Sequence, residues 1–198
     1  MRQRIEATDI SNYRPQGKIP SPLRGKVLRL LDQAEVDGDD IGSCQTVAIA
    51  AAIEGHTGNE FSYDYLSRWY KRLDRIYNGR AEKLSRAVRF AGVGMGRARL
   101  INIEKLPSKD YSYEKLVELV KRKDGVAVTV SLGGGFFSKV SGNFYKSFSI
   151  PGAGHAMRVF WNDGLWFQNS WAGWVLAKLK PSDDIKFWEI YGFDIVEE

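Results

Sequence analysis

Three residues could carry chemistry in this chain: Cys44, His155 and Asn169. Cys44 is the single cysteine, and it follows Ser43 directly at the head of a long apolar stretch. Its sulfur therefore falls in the first turn of a predicted helix, where unpaired N–H groups and the positive dipole end favour a thiolate. A thiolate nucleophile needs a base within hydrogen-bond reach. Of the two histidines, His56 lies twelve residues along the same helix, about 18 Å away at the α-helical rise. His155 is the remaining candidate. The competing readings are a cysteine that is a small buried hydrophobe and a histidine that is a satisfied member of a sheet.

Register supplies the third group. His155–Trp161 and Leu165–Ser170 flank Asn162-Asp163-Gly164 and read as a hairpin with a three-residue loop ending on a glycine of positive φ. Trp161 then opposes Leu165, Met157 opposes Asn169, and His155 becomes the diagonal neighbour of Asn169 on one face, close enough for a side-chain bond. A two-residue loop would turn Asn169 to the other face.

The elements that must position these residues form a helical half followed by a strand-rich half. Residues 44–54 are apolar nearly all round, which predicts a buried central helix with Ser43 as N-cap and Gly55 as its C′ residue. Leu66, Trp69, Tyr70, Leu73, Ile76 and Tyr77 recur at helical spacing, as do Ala81, Leu84, Ala87, Val88 and Ala91 before Gly92. Ser112 caps a short helix through Val120, and Val126–Leu132 reads as a strand of period two. Residues 133–154 have a loop or hairpin character. The glycines at 92, 94, 96 and 133–135 lack the strand and helix that a phosphate loop needs, and read as turns.

The chain has 198 residues, 43% hydrophobic and 27% charged, which suits one domain with a packed core. One cysteine and two histidines exclude a disulfide framework and a multi-cysteine zinc site, and no metal or cofactor is expected. The longest apolar run, Val47–Ile53, has seven residues, against roughly 20 for a membrane span. The N-terminus has no apolar stretch behind its basic residues, so a cytoplasmic protein without membrane partners is expected. The net charge of +5 is uneven. Residues 68–99 hold ten Lys or Arg against Asp74 and Glu82, a local charge of +8. Because the opposite helix faces are apolar, a solvated surface is preferred here over a nucleic-acid site.

Gly42-Ser43-Cys44 at a helix start, Gly154-His155-Ala156 entering a strand and Asn169-Ser170-Trp171 closing the next resemble the three catalytic motifs of the papain-like cysteine proteases. The likeness covers about residues 36–196. It implies an α+β fold in a single domain: a helical lobe over about 36–107, an antiparallel β-barrel-like lobe over about 108–198, and residues 1–35 as an N-terminal extension packed on the domain. It also implies a cysteine peptidase acting on a peptide or protein through a Cys44-His155-Asn169 triad and an acyl-enzyme. Asn78, Gly79 and Arg80 would meet the substrate backbone, Ala156 would line the main specificity pocket, and Trp171 would shield the Asn–His bond. The chain departs from the family in several places. Gly38 stands six residues before the cysteine, where the family has its oxyanion glutamine. Gln45 replaces the tryptophan after the cysteine, and Arg80 replaces the second glycine of Asn-Gly-Gly. The Cys44 backbone N–H and Gln45, or a residue of the Asp37–Asp40 loop, are then the expected oxyanion donors. The alternatives are a catalytically weak or inactive peptide-binding relative, a hydrolase of isopeptides or other amides, and a nucleic-acid-binding protein resting on the basic segment.

Overall fold

The computed structural model describes residues 19, 21–38, 42–81, 83–131, 153–171, 174–179 and 185–198. It is an α+β fold in which helices pack on an antiparallel sheet. Helix α1 (Ala34–Asp37) is a single turn, α2 (Cys44–Thr57) is the central helix, and α3 (Tyr63–Ile76), α4 (Leu84–Ala91) and α5 (Tyr113–Arg122) are amphipathic. The strands are β1 (Ala98–Lys105), β2 (Gly125–Ser131), β3 (Gly154–Trp161), β4 (Leu165–Trp171), β5 (Trp174–Leu179) and β6 (Phe187–Glu197). They lie in the order β1-β6-β2-β3-β4-β5, each antiparallel to its neighbours.

Helix α2 is buried all round from Gln45 to Glu54, and its alanines let the sheet and helices α3 and α4 approach closely. Two features differ from the sequence reading. The Ser43 side chain does not cap the helix; its hydroxyl donates to Gln33 O at 3.3 Å. The helix also runs past Gly55 and ends at Gly58, whose positive φ of 74° closes it with an N–H bond to Glu54 O. Gly55 is there for space, because a Cβ at this position would meet the Arg158 guanidinium. That buried arginine donates to Lys26 O at 2.7 Å and to Gln168 Oε1 at 3.0 Å. Glu54 beside it is buried and pairs with Arg29 at 2.6 Å, so the interior charges are hydrogen-bonded as burial requires.

Ser62 and Ser112 cap α3 and α5, accepting from Tyr65 N–H and Lys115 N–H. Strand β2 is buried on both faces rather than alternating with solvent. Ala127 faces the α2 cluster, and Val126, Val128 and Val130 face Leu116 and Leu119 of α5, so helices cover the strand on both sides. Strand β1 falls within the span assigned to the helical lobe, yet it pairs with β6 at the sheet edge. The hairpin has the expected register, with Trp161 opposite Leu165, and positive φ at Asp163 (49°) and Gly164 (131°). Gly92 and Gly96 lie in turns, as read, while Gly94 has no assigned turn. The N-terminal stretch from Ser21 packs Leu23 and Val27 on Phe160. No helix among the described residues is long and apolar enough to cross a membrane.

Candidate active site

Alternation along β3 and β4 sorts the site residues. His155 and Asn169 fall on one face near one end of the hairpin, and Ala156, Arg158, Gln168 and Ser170 fall on the other. The imidazole Nε2 of His155 and Oδ1 of Asn169 are 2.5 Å apart, and the same Oδ1 accepts the Ser170 N–H at 2.7 Å. The second bond decides the first. A backbone N–H can only donate, so the Asn169 atom facing it must be the carbonyl oxygen, and His155 must carry its proton on Nε2. Nδ1 is then the unprotonated nitrogen, the state a general base needs. The diagonal His155–Asn169 relation expected from the loop length is present, and both residues are buried.

Cys44 stands at the first position of α2. Its sulfur accepts the Ala156 N–H at 3.4 Å, which sets it against the β3 backbone one residue past His155. As a thiol it donates to Gln45 Oε1 at 3.2 Å. The expected thiolate is not the resting form. Burial pushes the thiol up to about 11, against the pull of the Ala156 and Gln45 N–H groups and with a further push from the Asp37 charge. Burial likewise drives the His155 imidazole down to about 4, with the Asn169 bond opposing. Desolvation outweighs the helix dipole here, and the resting pair is neutral thiol and neutral imidazole.

This has a consequence for stability. The unfolded imidazole titrates near 6.5 and the folded one near 4, so between these values the unfolded chain binds more protons and stability falls as pH drops. The loss amounts to about 3 kcal/mol once the pH is below both values. Urea denaturation midpoints measured from pH 7 to pH 4 will show that decline, and His155→Gln will remove most of it. Parallel declines in the two proteins would assign the acid sensitivity to other groups.

Gln45, expected as an oxyanion donor, turns its amide nitrogen away from the sulfur. Its Nε2 donates to Ala81 O at 2.5 Å, and it presents its acceptor oxygen to the sulfur. The fully buried side chain is a tether that ties the chain just after Asn78-Gly79-Arg80 to the start of α2 beside Cys44. That turn is exposed, with positive φ at Asn78 (51°) and Gly79 (67°), and it folds back on α3 through Gly79 N–H to Asp74 O. Ala156 contributes its N–H to the sulfur while its methyl group is buried in the α2 cluster, so it does not form an open pocket wall. Asp39, Asp40 and the side chain of Trp171 lie outside the described residues, as do 133–152.

The residue that sequence reasoning missed is Gln33. Its backbone O accepts the Ser43 hydroxyl, its N–H donates to Ser170 O at 2.9 Å, and its Oε1 accepts the Ser170 hydroxyl at 2.6 Å. Gln33 is thus fixed between the residue before Cys44 and the residue after Asn169, and it is 1% exposed. Because Ser170 takes the carbonyl end, the amide NH2 points away from it. Counting six residues back from Cys44 lands on Gly38, whereas Gln33 lies eleven residues upstream with the turn of α1 between them. No spacing in the sequence singles it out. No protein family matches the chain, and no curated protein matches it significantly.

Proposed function

We propose that this chain is a papain-like thiol hydrolase that cleaves an amide, with a peptide bond as the default substrate. The observation that carries the reading is the Ser170-fixed Asn169–His155 bond, one residue from the backbone N–H that meets the sulfur of a helix-start cysteine. In the proposed cycle the Sγ–H turns from Gln45 Oε1 to His155 Nδ1, and the sulfur attacks the carbonyl carbon as the proton transfers. The developing oxyanion is held by the Cys44 backbone N–H and the Gln33 Nε2–H. The imidazolium gives its proton to the amine nitrogen, the C–N bond breaks, and a thioester remains on Cys44. Water then loses a proton to His155 and attacks the thioester, the carboxylic acid leaves, and the sulfur recovers its proton. Asn169 keeps Nε2 protonated throughout, and the turn Asn78-Gly79-Arg80 borders the substrate.

A hydrolase of this kind will digest peptides from an unbiased library, and a fluorogenic substrate drawn from the digest will define its pH profile. The neutral resting pair predicts an acid limb near pH 4, where His155 gains a proton and can no longer accept that of Cys44. Activity should hold through neutrality and not wait for a free thiol's ionisation. A rate rising only near pH 8.5 would mean an uncoupled thiol. The Cys44–Gln45 bond, which favours the protonated sulfur, favours a second reading as a peptide-binding relative without turnover. Complete absence of cleavage together with peptide binding would select it.

A further inference from the structure

Helix α3 carries Arg68, Lys71, Arg72 and Arg75 within an arc of about 100°, and all four are exposed. Among the described residues the one ion pair on this stripe is Arg68 with Asp64 at 3.0 Å. Packing across to α4 holds the stripe in place: Arg72 lies over the Phe90 ring at 5.5 Å, and Arg86 of α4 lies over the Tyr77 ring at 5.3 Å. The stripe leads directly to the candidate site. After Ile76 the chain turns back, with Asn78 N–H to Arg75 O and Arg80 N–H to Tyr77 O, so the exposed Arg80 stays beside the last turn of α3. The next residue, Ala81, is held by Gln45, the neighbour of the nucleophile. A line of cations therefore runs along α3 to Arg80, one residue before the Ala81 backbone that Gln45 holds.

We propose that the substrate is an acidic polypeptide, whose Asp or Glu side chains dock on Arg80 and the α3 stripe while its scissile amide reaches Cys44. The proposal rests on the hydrolase reading and names its substrate class. Lengths agree with it. From Arg68 to Arg75 the helix rises about 10 Å, the span of three to four residues of extended peptide. A nucleic acid would match the charge but not the surface. Single-stranded binding needs aromatic faces open to bases, whereas Phe90 is 9% exposed under Arg72 and Tyr77 lies beneath Arg86. An acidic chain needs only the cations, and arginine suits carboxylates through its paired donors.

The test uses the full-length Cys44→Ala protein and a fluorescent twelve-residue peptide alternating Glu with Gly and Ser, followed by fluorescence anisotropy. A Gln-for-Glu peptide and a single-stranded oligonucleotide serve as comparisons. The acidic peptide will bind at least tenfold more tightly than its Gln counterpart and weaken with salt. Arg75→Glu/Arg80→Glu, two exposed sites, will lower that affinity tenfold or more at an unchanged melting temperature. In the active protein the same pair will lower the preference for acidic over neutral substrates by a similar factor. Equal binding of both peptides overturns the inference, and so does tighter binding of the oligonucleotide that the acidic peptide fails to displace. Cleavage of neutral and acidic peptides at equal efficiency would remove the substrate class and leave the hydrolase standing. Acidic-peptide binding without turnover in the wild type would do the reverse.

Discussion

Cys44→Ala will abolish hydrolysis, lowering kcat by about 10⁴–10⁶-fold, while the protein keeps its fold. In the proposed cycle no other group can form the covalent intermediate, since the chain holds no second cysteine. What the structure loses is small. The sulfur makes a 3.4 Å contact with Ala156 N–H and a bond to Gln45 Oε1, whose Nε2 still holds Ala81 O. A cost of about 1 kcal/mol is expected, so circular dichroism and the melting temperature should remain close to wild type. Cys44→Ser is the sterically closer control and should be as inactive, because a serine hydroxyl is far harder to deprotonate than a thiol. Undiminished turnover in either variant would assign the chemistry to a different residue, and the fold would then owe its polar Asn169–His155 arrangement to another role.

The local parts of this site were legible because they depend on short spacings. A three-residue loop fixes the pairing of two strands, and pairing fixes which side chains become diagonal neighbours, so the His155–Asn169 bond followed from fourteen residues of chain. The apolar run after Cys44 likewise defines its helix, since no surface helix is apolar on every side. Where the reading failed, distant residues decided. Gly55 resembles a helix stop until Arg158 occupies the space beside it. β1 shows a sheet-edge burial pattern of mixed character and becomes a strand through β6, which lies some ninety residues later. The thiolate expectation followed from the helix terminus alone and omitted the desolvation that encloses the sulfur. Gln33 escaped because it was sought by distance along the chain, whereas Ser170 on β4 fixes its place.

Gln33→Ala will lower kcat by about 10²–10³-fold with little change in KM. An oxyanion donor acts on charge that appears only in the transition state, so its loss leaves ground-state binding nearly untouched. The substitution keeps the backbone bonds to Ser43 and Ser170, which do not involve the side chain. Ser170→Ala tests the same amide indirectly. Without the hydroxyl donor the carboxamide is free to reverse its ends, and kcat should fall about tenfold, near the cost of one hydrogen bond. Steady-state kinetics on a single fluorogenic peptide separates the two parameters. A rise in KM at constant kcat would make Gln33 a substrate-binding residue instead, and wild-type kinetics in both variants would leave the Cys44 N–H as the sole donor of this pair.

The strap from Lys26 to Gln33 is fastened to the sheet by bonds that do not depend on how it connects to α2: Arg158 to Lys26 O, Gln168 to Arg29 O, and Ser170 to Gln33 at both backbone and side chain. Across the link from α1 to Ser43 the two ends are also held directly, by the Ser43 N–H to Asp37 Oδ2 at 3.0 Å and the Ser43 hydroxyl to Gln33 O, so an inserted segment would have to leave those bonds in place. Closing a loop costs only about 0.6 kcal/mol for each doubling. A reporter peptide or a small folded module spliced in after Gly38, where the chain already adopts a positive φ of 84°, would leave both anchors of the candidate site where they are, making this connection the natural port for engineering the molecule.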